Sequence, residues 1–300
     1  MSLTAILIVV ISAALHAGWN AVGKFYQASG TAFIFSATMA ASVLLTPYVI
    51  WFGARFPVGE ISIQFWWILV VSGLCQMVYL TGLVFAYKNA DVGIVYPLAR
   101  GFPVLLVGAV IFLMGYSVSS NQWLGFFILF IGCIFLPVTS LKELRFRDYL
   151  QPGILWASFS ALGTAGYSVL DKEALNVLTH AMGLYVSNEY SAIYYLALQY
   201  WAMSVPIALW IIYTRQYRQF ETAWSIKCVA SITGIMMSTT YGLVLVAMSF
   251  TENVSLVVAL RQVSIIFGVV IGVFWLGEKF YIPRFFGASL IIAGLVIALT

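Results

Sequence analysis

Apolar stretches of roughly 20 residues follow one another along almost the whole of this 300-residue chain, and no motif constrains its fold as strongly. A stretch of that length crosses a hydrocarbon core of about 30 Å as a helix. Barrel strands would instead be short and alternate lipid-facing with polar residues. The runs here are continuous, so helices follow, since a helix satisfies its own backbone in lipid. Composition agrees: 63% hydrophobic and 8% charged residues, with a mean hydropathy of +1.01, exceed what a soluble core needs. The expected spans are Ala5 to Gly23, Thr31 to Phe52, Phe65 to Tyr87, Val92 to Met114, Asn121 to Val138, Gly153 to Leu170, Ile193 to Tyr213, Cys228 to Phe250, Asn253 to Leu276 and Pro283 to Leu299. The chain reads as an all-α polytopic membrane protein of ten transmembrane helices, with no segment left for a soluble domain.

The first apolar segment lacks the basic flank of a signal peptide and is expected to be a retained helix. Cys75, Cys133 and Cys228 fall in separate spans without metal-ligand spacing, so neither a disulfide framework nor a metal site is expected. With ten spans, Arg55 and Lys172 lie on the side of the termini. Lys24, Lys88, Lys142, Arg145, Arg147, Arg215, Arg218, Lys227, Lys279 and Arg284 lie on the other. Basic loops stay cytoplasmic, so the termini are expected to be extracytoplasmic. Trp51, Trp66, Trp67, Trp123, Trp224 and Trp275 near span ends suit an interfacial belt. The net charge of +4 comes from loops rather than a surface patch, and no nucleic-acid partner is expected.

An internal repeat divides the chain. The polar segment 141–152 reads as a linker between a first five-helix repeat, 1–140, and a second, 153–300. Setting Asp91 against Glu252 places Arg100 on Arg261. With one extra residue, Gly115, Gly125 and Gly132 then fall on Gly277, Gly287 and Gly294. HAGWNAVGK matches TAGYSVLDK, which pairs Gly18 with Gly166, Trp19 with Tyr167 and Lys24 with Lys172. Each repeat has an odd number of spans, so the second is inverted, an architecture that places substrate near the midplane between repeats. A second long connection, DKEALNVLTHAMGLYVSNEY, is expected to carry a short surface helix, with His180 solvated.

Each arginine lies nine residues into its span from the acidic residue at the start, or about 13.5 Å. Both are therefore expected near the midplane, where a cation costs at least about 2.5 to 3.5 kcal/mol and needs water or a partner. Asp91, Asp171, Glu252 and Glu278 all fall near expected span ends, which leaves the centre positive. A carboxylate or phosphoryl group would complete that field through paired hydrogen bonds to guanidinium. The competing reading is that the arginines brace helix ends or backbone carbonyls.

Other polar residues are candidates for the same cavity. His16, Trp19, Asn20 and Gly23 share one helical face of the first span, and His16 could carry a coupling proton. Gln76 and Tyr79 in the third span, Tyr96 near Arg100, Tyr167, Tyr241 and Gln262 beside Arg261 complete the substrate-binding set. Packing or interface anchoring competes for each tyrosine. Lys24 and Lys172 end equivalent helices and are candidate gates, with snorkelling as the simpler account. Pro97 and Pro103 flank Arg100 and suggest a kinked fourth span, whereas the ninth has no proline.

The closing segment LGEKFYIPRFFGASLIIAGLVIAL, its degenerate copy MGYSVSSNQWLGFFILFIGCIF and LHAGWNAVGK resemble the drug/metabolite transporter superfamily, in particular the EamA-type ten-helix transporters. Tyr116 and Ser117 stand where that family often has Glu. The resemblance implies carrier-type metabolite transport by alternating access, often export. The expected location is a bacterial inner (plasma) membrane. Superfamily members with a central membrane glutamate exchange cationic drugs for protons, and the first span here has none. Cytoplasmic termini in some members conflict with the orientation expected from loop charge. No HExxH, P-loop or paired intramembrane aspartates occur, so an enzyme is not expected, nor a cofactor. The resulting expectation is a secondary transporter for a small anionic or zwitterionic metabolite: an amino acid, an organic acid or a phosphorylated or phosphonate compound. Protons are a candidate coupling ion and the bilayer is its medium. Export of hydrophobic or cationic drugs, or lipid translocation, remains the alternative.

Overall fold

The computed structural model describes residues 3–25, 30–89, 92–136, 138, 152–251, 253–274, 279 and 281–300. Among them are twelve α-helices: α1 Leu3–Phe25, α2 Gly30–Arg55, α3 Ile63–Asn89, α4 Val92–Leu113, α5 Ser120–Phe135, α6 Pro152–Met182, α7 Asn188–Tyr213, α8 Arg218–Ser225, α9 Lys227–Ser249, α10 Val254–Leu260, α11 Val263–Phe274 and α12 Ile282–Leu299. Seven helical stretches are long and apolar enough to cross a membrane by length and composition: α2, α3, α6, α7, α9, α10 with α11, and α12. Shorter apolar helices lie in Leu3–Gly18, Leu98–Leu113 and Ser120–Phe135. The chain is therefore an all-helical protein built as a polytopic membrane protein is. The 141–151 part of the expected linker, Asp91, Glu252, Gly277 and Glu278 lie outside the described residues.

Local chemistry sets several helix ends. At α5, Ser119 Oγ accepts from the Gln122 amide at 3.2 Å and Gln122 Oε1 accepts from the Ser119 amide at 3.0 Å, a reciprocal cap. Gly115 ends the turn after α4 with φ +90°, a conformation that costs glycine little. α12 opens with proline in its first turn, where a missing N–H costs no hydrogen bond.

Three elements differ from expectation. The sixth helix does not stop at Leu170 but runs to Met182, so most of the expected surface helix is its last turns. His180 is exposed there, with Nδ1 2.7 Å from the Asn176 carbonyl. The segment 218–225 forms the short α8, which was not foreseen. The expected ninth span is interrupted at Arg261–Gln262, whereas α4 continues through Pro97 and Pro103. The interruption thus falls in the expected span that has no proline.

The chain forms two compact units. The first contains Met1–Met77 and Tyr167–Glu252, the second Val78–Gly166 and Asn253–Thr300, with the boundary falling inside α3 and α6. In the first unit α2 packs against α7 and α9, and α1 against α9. Close approach there rests on small residues: a Cβ on Gly73 would lie 2.6 Å from the Ala202 carbonyl carbon. Ser42 and Ser204 hydroxyls meet at 2.8 Å and join α2 to α7. In the second unit α5 packs along α12, and α4 against α5 and α10. A Cβ on Gly132 would stand 2.7 Å from the Gly287 oxygen, and one on Gly294 2.5 Å from the Gly125 oxygen, so glycine alone permits that contact.

Candidate functional sites

The first unit holds a buried polar cluster around Asp171, whose side chain has no solvent exposure. This corrects the expectation that Asp171 sits near a span end: α6 continues past it for several turns. Its Oδ1 accepts from Ser72 Oγ at 2.5 Å, the Tyr195 hydroxyl at 2.7 Å and Gln199 Nε2 at 2.6 Å. Its Oδ2 accepts from the Tyr241 hydroxyl. The donors come from α3, α7 and α9, so three helices converge on one carboxylate. Tyr241 is half-buried and its ring lies 5.7 Å edge-on from that of Tyr167. Lys172, the next residue, lies within α6 rather than in a loop, and its Nζ donates to the Met248 carbonyl at 3.1 Å.

His16 and Gln76 are buried in the same unit, on α1 and α3. Trp19, Asn20 and Lys24 lie on α1, with side chains outside the described set. Ser72, Tyr195 and Gln199 were missed by sequence reasoning. The only signal was the polar triplet Asp171-Lys172-Glu173, which reads as a helix end.

The second unit holds the two arginines. Arg100 on α4 is 8% exposed and Arg261, between α10 and α11, is 9% exposed. Burial to this degree is rare for arginine and requires partners. Arg100 lies within electrostatic reach of Cys133 on α5. Tyr79 belongs to this unit, its carbonyl accepting from Ser160 Oγ at 3.0 Å. Tyr96 lies on α4, with its side chain outside the described set.

The α10–α11 break has a local cause. Arg261 still makes the helical bond from its amide to the Val257 carbonyl at 3.0 Å. The Gln262 amide then turns to the Ala259 carbonyl at 2.9 Å, and Gln262 Nε2 takes the Val258 carbonyl at 2.9 Å. A side-chain amide therefore replaces the backbone donor at that turn. The Ile265 amide bonds Gln262 O at 2.9 Å, a tightened turn that restarts the helix.

This arrangement leaves two acceptors over. Gln262, 3% exposed, has its Nε2 committed to Val258, and its Oε1 has no hydrogen-bond partner among the described residues. The hydroxyl of Ser264, with no exposure, has none among the described residues either. An unpaired buried polar group costs about 1 to 3 kcal/mol, so each calls for a partner from outside the described side chains, a water or a ligand.

Taken with seven spanning-type helices, these sites define the class as far as an integral membrane protein with buried charge. No family model matches the chain and no curated protein matches it. It is similar to a solved structure described only as "Crystal structure of protein", at 18% identity and a TM-score of 0.69, over 98% of this chain and 96% of that one. That likeness carries the fold over nearly the whole length of both chains.

Proposed function

We propose that this protein is a secondary transporter of the drug/metabolite transporter superfamily that moves a small zwitterionic or anionic metabolite by alternating access. Its ten crossings comprise two inverted five-helix repeats, with α10 and α11 together forming the ninth. The observation that carries the reading is the buried break at Arg261–Gln262, in a unit that also buries Arg100. Broken helices with polar side chains at the break are how transporters of this kind build substrate sites. Guanidinium groups would take the carboxylate or phosphoryl group, and the free Gln262 Oε1 and Ser264 Oγ would accept from an ammonium or hydroxyl. An amino acid supplies both ends, so the zwitterion is the better fit.

The repeat has support from the α5–α12 contact. The sequence alignment exchanges Gly125 with Gly287 and Gly132 with Gly294. Applied to the close approach of Gly125 and Gly294, that exchange yields the approach of Gly287 and Gly132, which also occurs. A two-fold relation between antiparallel helices produces such self-complementary contacts. Loop charge supports extracytoplasmic termini, since ten basic residues lie on the other side against Arg55 and Lys172.

Export of cationic compounds is the second reading, and the buried carboxylate of Asp171 favours it. Four donors already occupy that carboxylate, which leaves an ammonium little access.

The test is transport by the purified protein in liposomes, against radiolabelled amino acids, organic acids, phosphonates and lipophilic cations. The expected result is saturable accumulation of a zwitterion or anion that falls at least about tenfold in Arg261→Gln. Accumulation of cations alone, unchanged in that variant, would move export of cations ahead.

A further inference from the structure

The cluster around Asp171 is asymmetric in a way that its structural role does not require. Three donors converge on Oδ1, and Tyr241 alone reaches Oδ2. A carboxylate has about four lone-pair sites, two on each oxygen, so Oδ1 is saturated and Oδ2 keeps one site. Gln199 Nε2 also lies 3.1 Å from Ser72 Oγ, so the Oδ1 side is a closed network. None of the described residues forms an ion pair with Asp171, and the neighbouring Lys172 is turned to the Met248 carbonyl. An ionised carboxylate without a counter-charge is costly to bury, and its proton is the simplest group that removes the charge.

We propose that Asp171 is a reversible proton-binding site, loaded at Oδ2 from the Tyr241 side. The balance is simple. One proton from water bonds to Oδ2, the carboxylate becomes a neutral acid, and the new O–H donates to the Tyr241 oxygen. The Tyr241 hydroxyl hydrogen rotates away, because a phenol both donates and accepts. The three donors on Oδ1 keep their bonds to the carbonyl oxygen. Ser72, Tyr195 and Gln199 are buried while Tyr241 is half-buried, so of the four donors only Tyr241 is reached from outside the cluster.

Among the described residues the surrounding titratable and charged groups are few. Cys75 on α3 lies within electrostatic reach of the carboxylate. Tyr195 faces it from α7 and Tyr241 from α9. Lys172 and Glu173 follow it on α6, and α1, which packs against α9, buries His16 in the same unit. Use of this proton as a coupling ion rests on the transporter reading, whereas the protonation itself does not.

Infrared difference spectroscopy of the protein in lipid nanodiscs tests the site directly, from about pH 8 to about pH 6, where solvent-exposed carboxylates stay almost wholly ionised. Acidification of the wild type should produce a carboxylic-acid C=O band that shifts in D2O. The band should be lost in Asp171→Asn and displaced in frequency or midpoint in Tyr241→Phe. No band from folded wild-type protein, or a band that persists in Asp171→Asn, would overturn the proposal. If Asp171→Asn fails to fold, an unchanged band in Tyr241→Phe overturns it equally. Arginine-dependent ligand binding does not enter this titration, so the two readings fail separately.

Discussion

In the first unit the buried carboxylate of Asp171 receives hydrogen bonds from four side chains, whereas in the second the buried Gln262 Oε1 and Ser264 Oγ receive none from the described residues. The Thr240 hydroxyl of the first unit is likewise unpaired among the described residues, so the difference separates two clusters, and with them two uses of buried polarity, rather than two whole units. A closed network fixes helices against each other and exchanges only the smallest ligand, a proton. Buried acceptors left over beside an arginine instead suit a ligand that brings its own donor. Partition of the candidate residues follows the same division: His16, Gln76, Tyr167, Tyr241 and Lys172 belong to the first unit, and Tyr79, Arg100, Arg261 and Gln262 to the second.

The contrast breaks most visibly at Asp171. Replacement by Ala leaves four donors without an acceptor, and the expected loss is at least about 3 kcal/mol. Thermal unfolding would show this as a fall in apparent Tm of roughly 6 to 12 °C. A smaller loss than that of Ser264→Ala would remove the distinction between the two clusters. The glycine contact comes next. Gly132→Ala puts a Cβ 2.7 Å from the Gly287 oxygen and should cost about 1 to 3 kcal/mol by overpacking. Gly294→Ala, its counterpart in the repeat, should match it, because its Cβ would stand 2.5 Å from the Gly125 oxygen. Unequal losses, measured by thermal unfolding, would weaken the two-fold relation.

Much of the helix framework was legible because apolar runs of span length leave few alternatives in lipid. Expected and observed ends of α2, α4 and α9 agree within about three residues, the usual scatter of helix boundaries. The extension of α6 was not legible. Asp171, Lys172 and Glu173 in succession look like a solvated end, and the residues that make burial tolerable, Ser72, Tyr195, Gln199 and Tyr241, lie far away in sequence. The α10–α11 break was hidden for the opposite reason. No glycine or proline marks it, and the device is a glutamine side chain taking the carbonyl four residues back. Arg100 and Arg261 were legible as buried groups because lone cations in apolar runs have few explanations.

The remaining predictions sharpen the second unit. Arg100→Gln and Arg261→Gln should each weaken ligand binding by about 10- to 100-fold, the value of a charge-assisted hydrogen bond. Smallest of all is Ser264→Ala. Loss of an unpaired hydroxyl should change the stability of the ligand-free protein by less than about 0.5 kcal/mol in thermal unfolding, with a measurable loss of ligand affinity.

The most direct measurement is thermal stabilisation of the purified protein by amino acids, organic acids, phosphonates, sugar phosphates and lipophilic cations, beside Arg100→Gln and Arg261→Gln. A ligand that binds the native state raises the apparent Tm in proportion to its saturation. Stabilisation by a zwitterionic or acidic compound, lost in both arginine variants whose own unfolding is nearly unchanged, is the predicted result. Stabilisation by cations only, unaltered in those variants, or arginine variants that collapse without ligand, would contradict it and leave the arginines as braces.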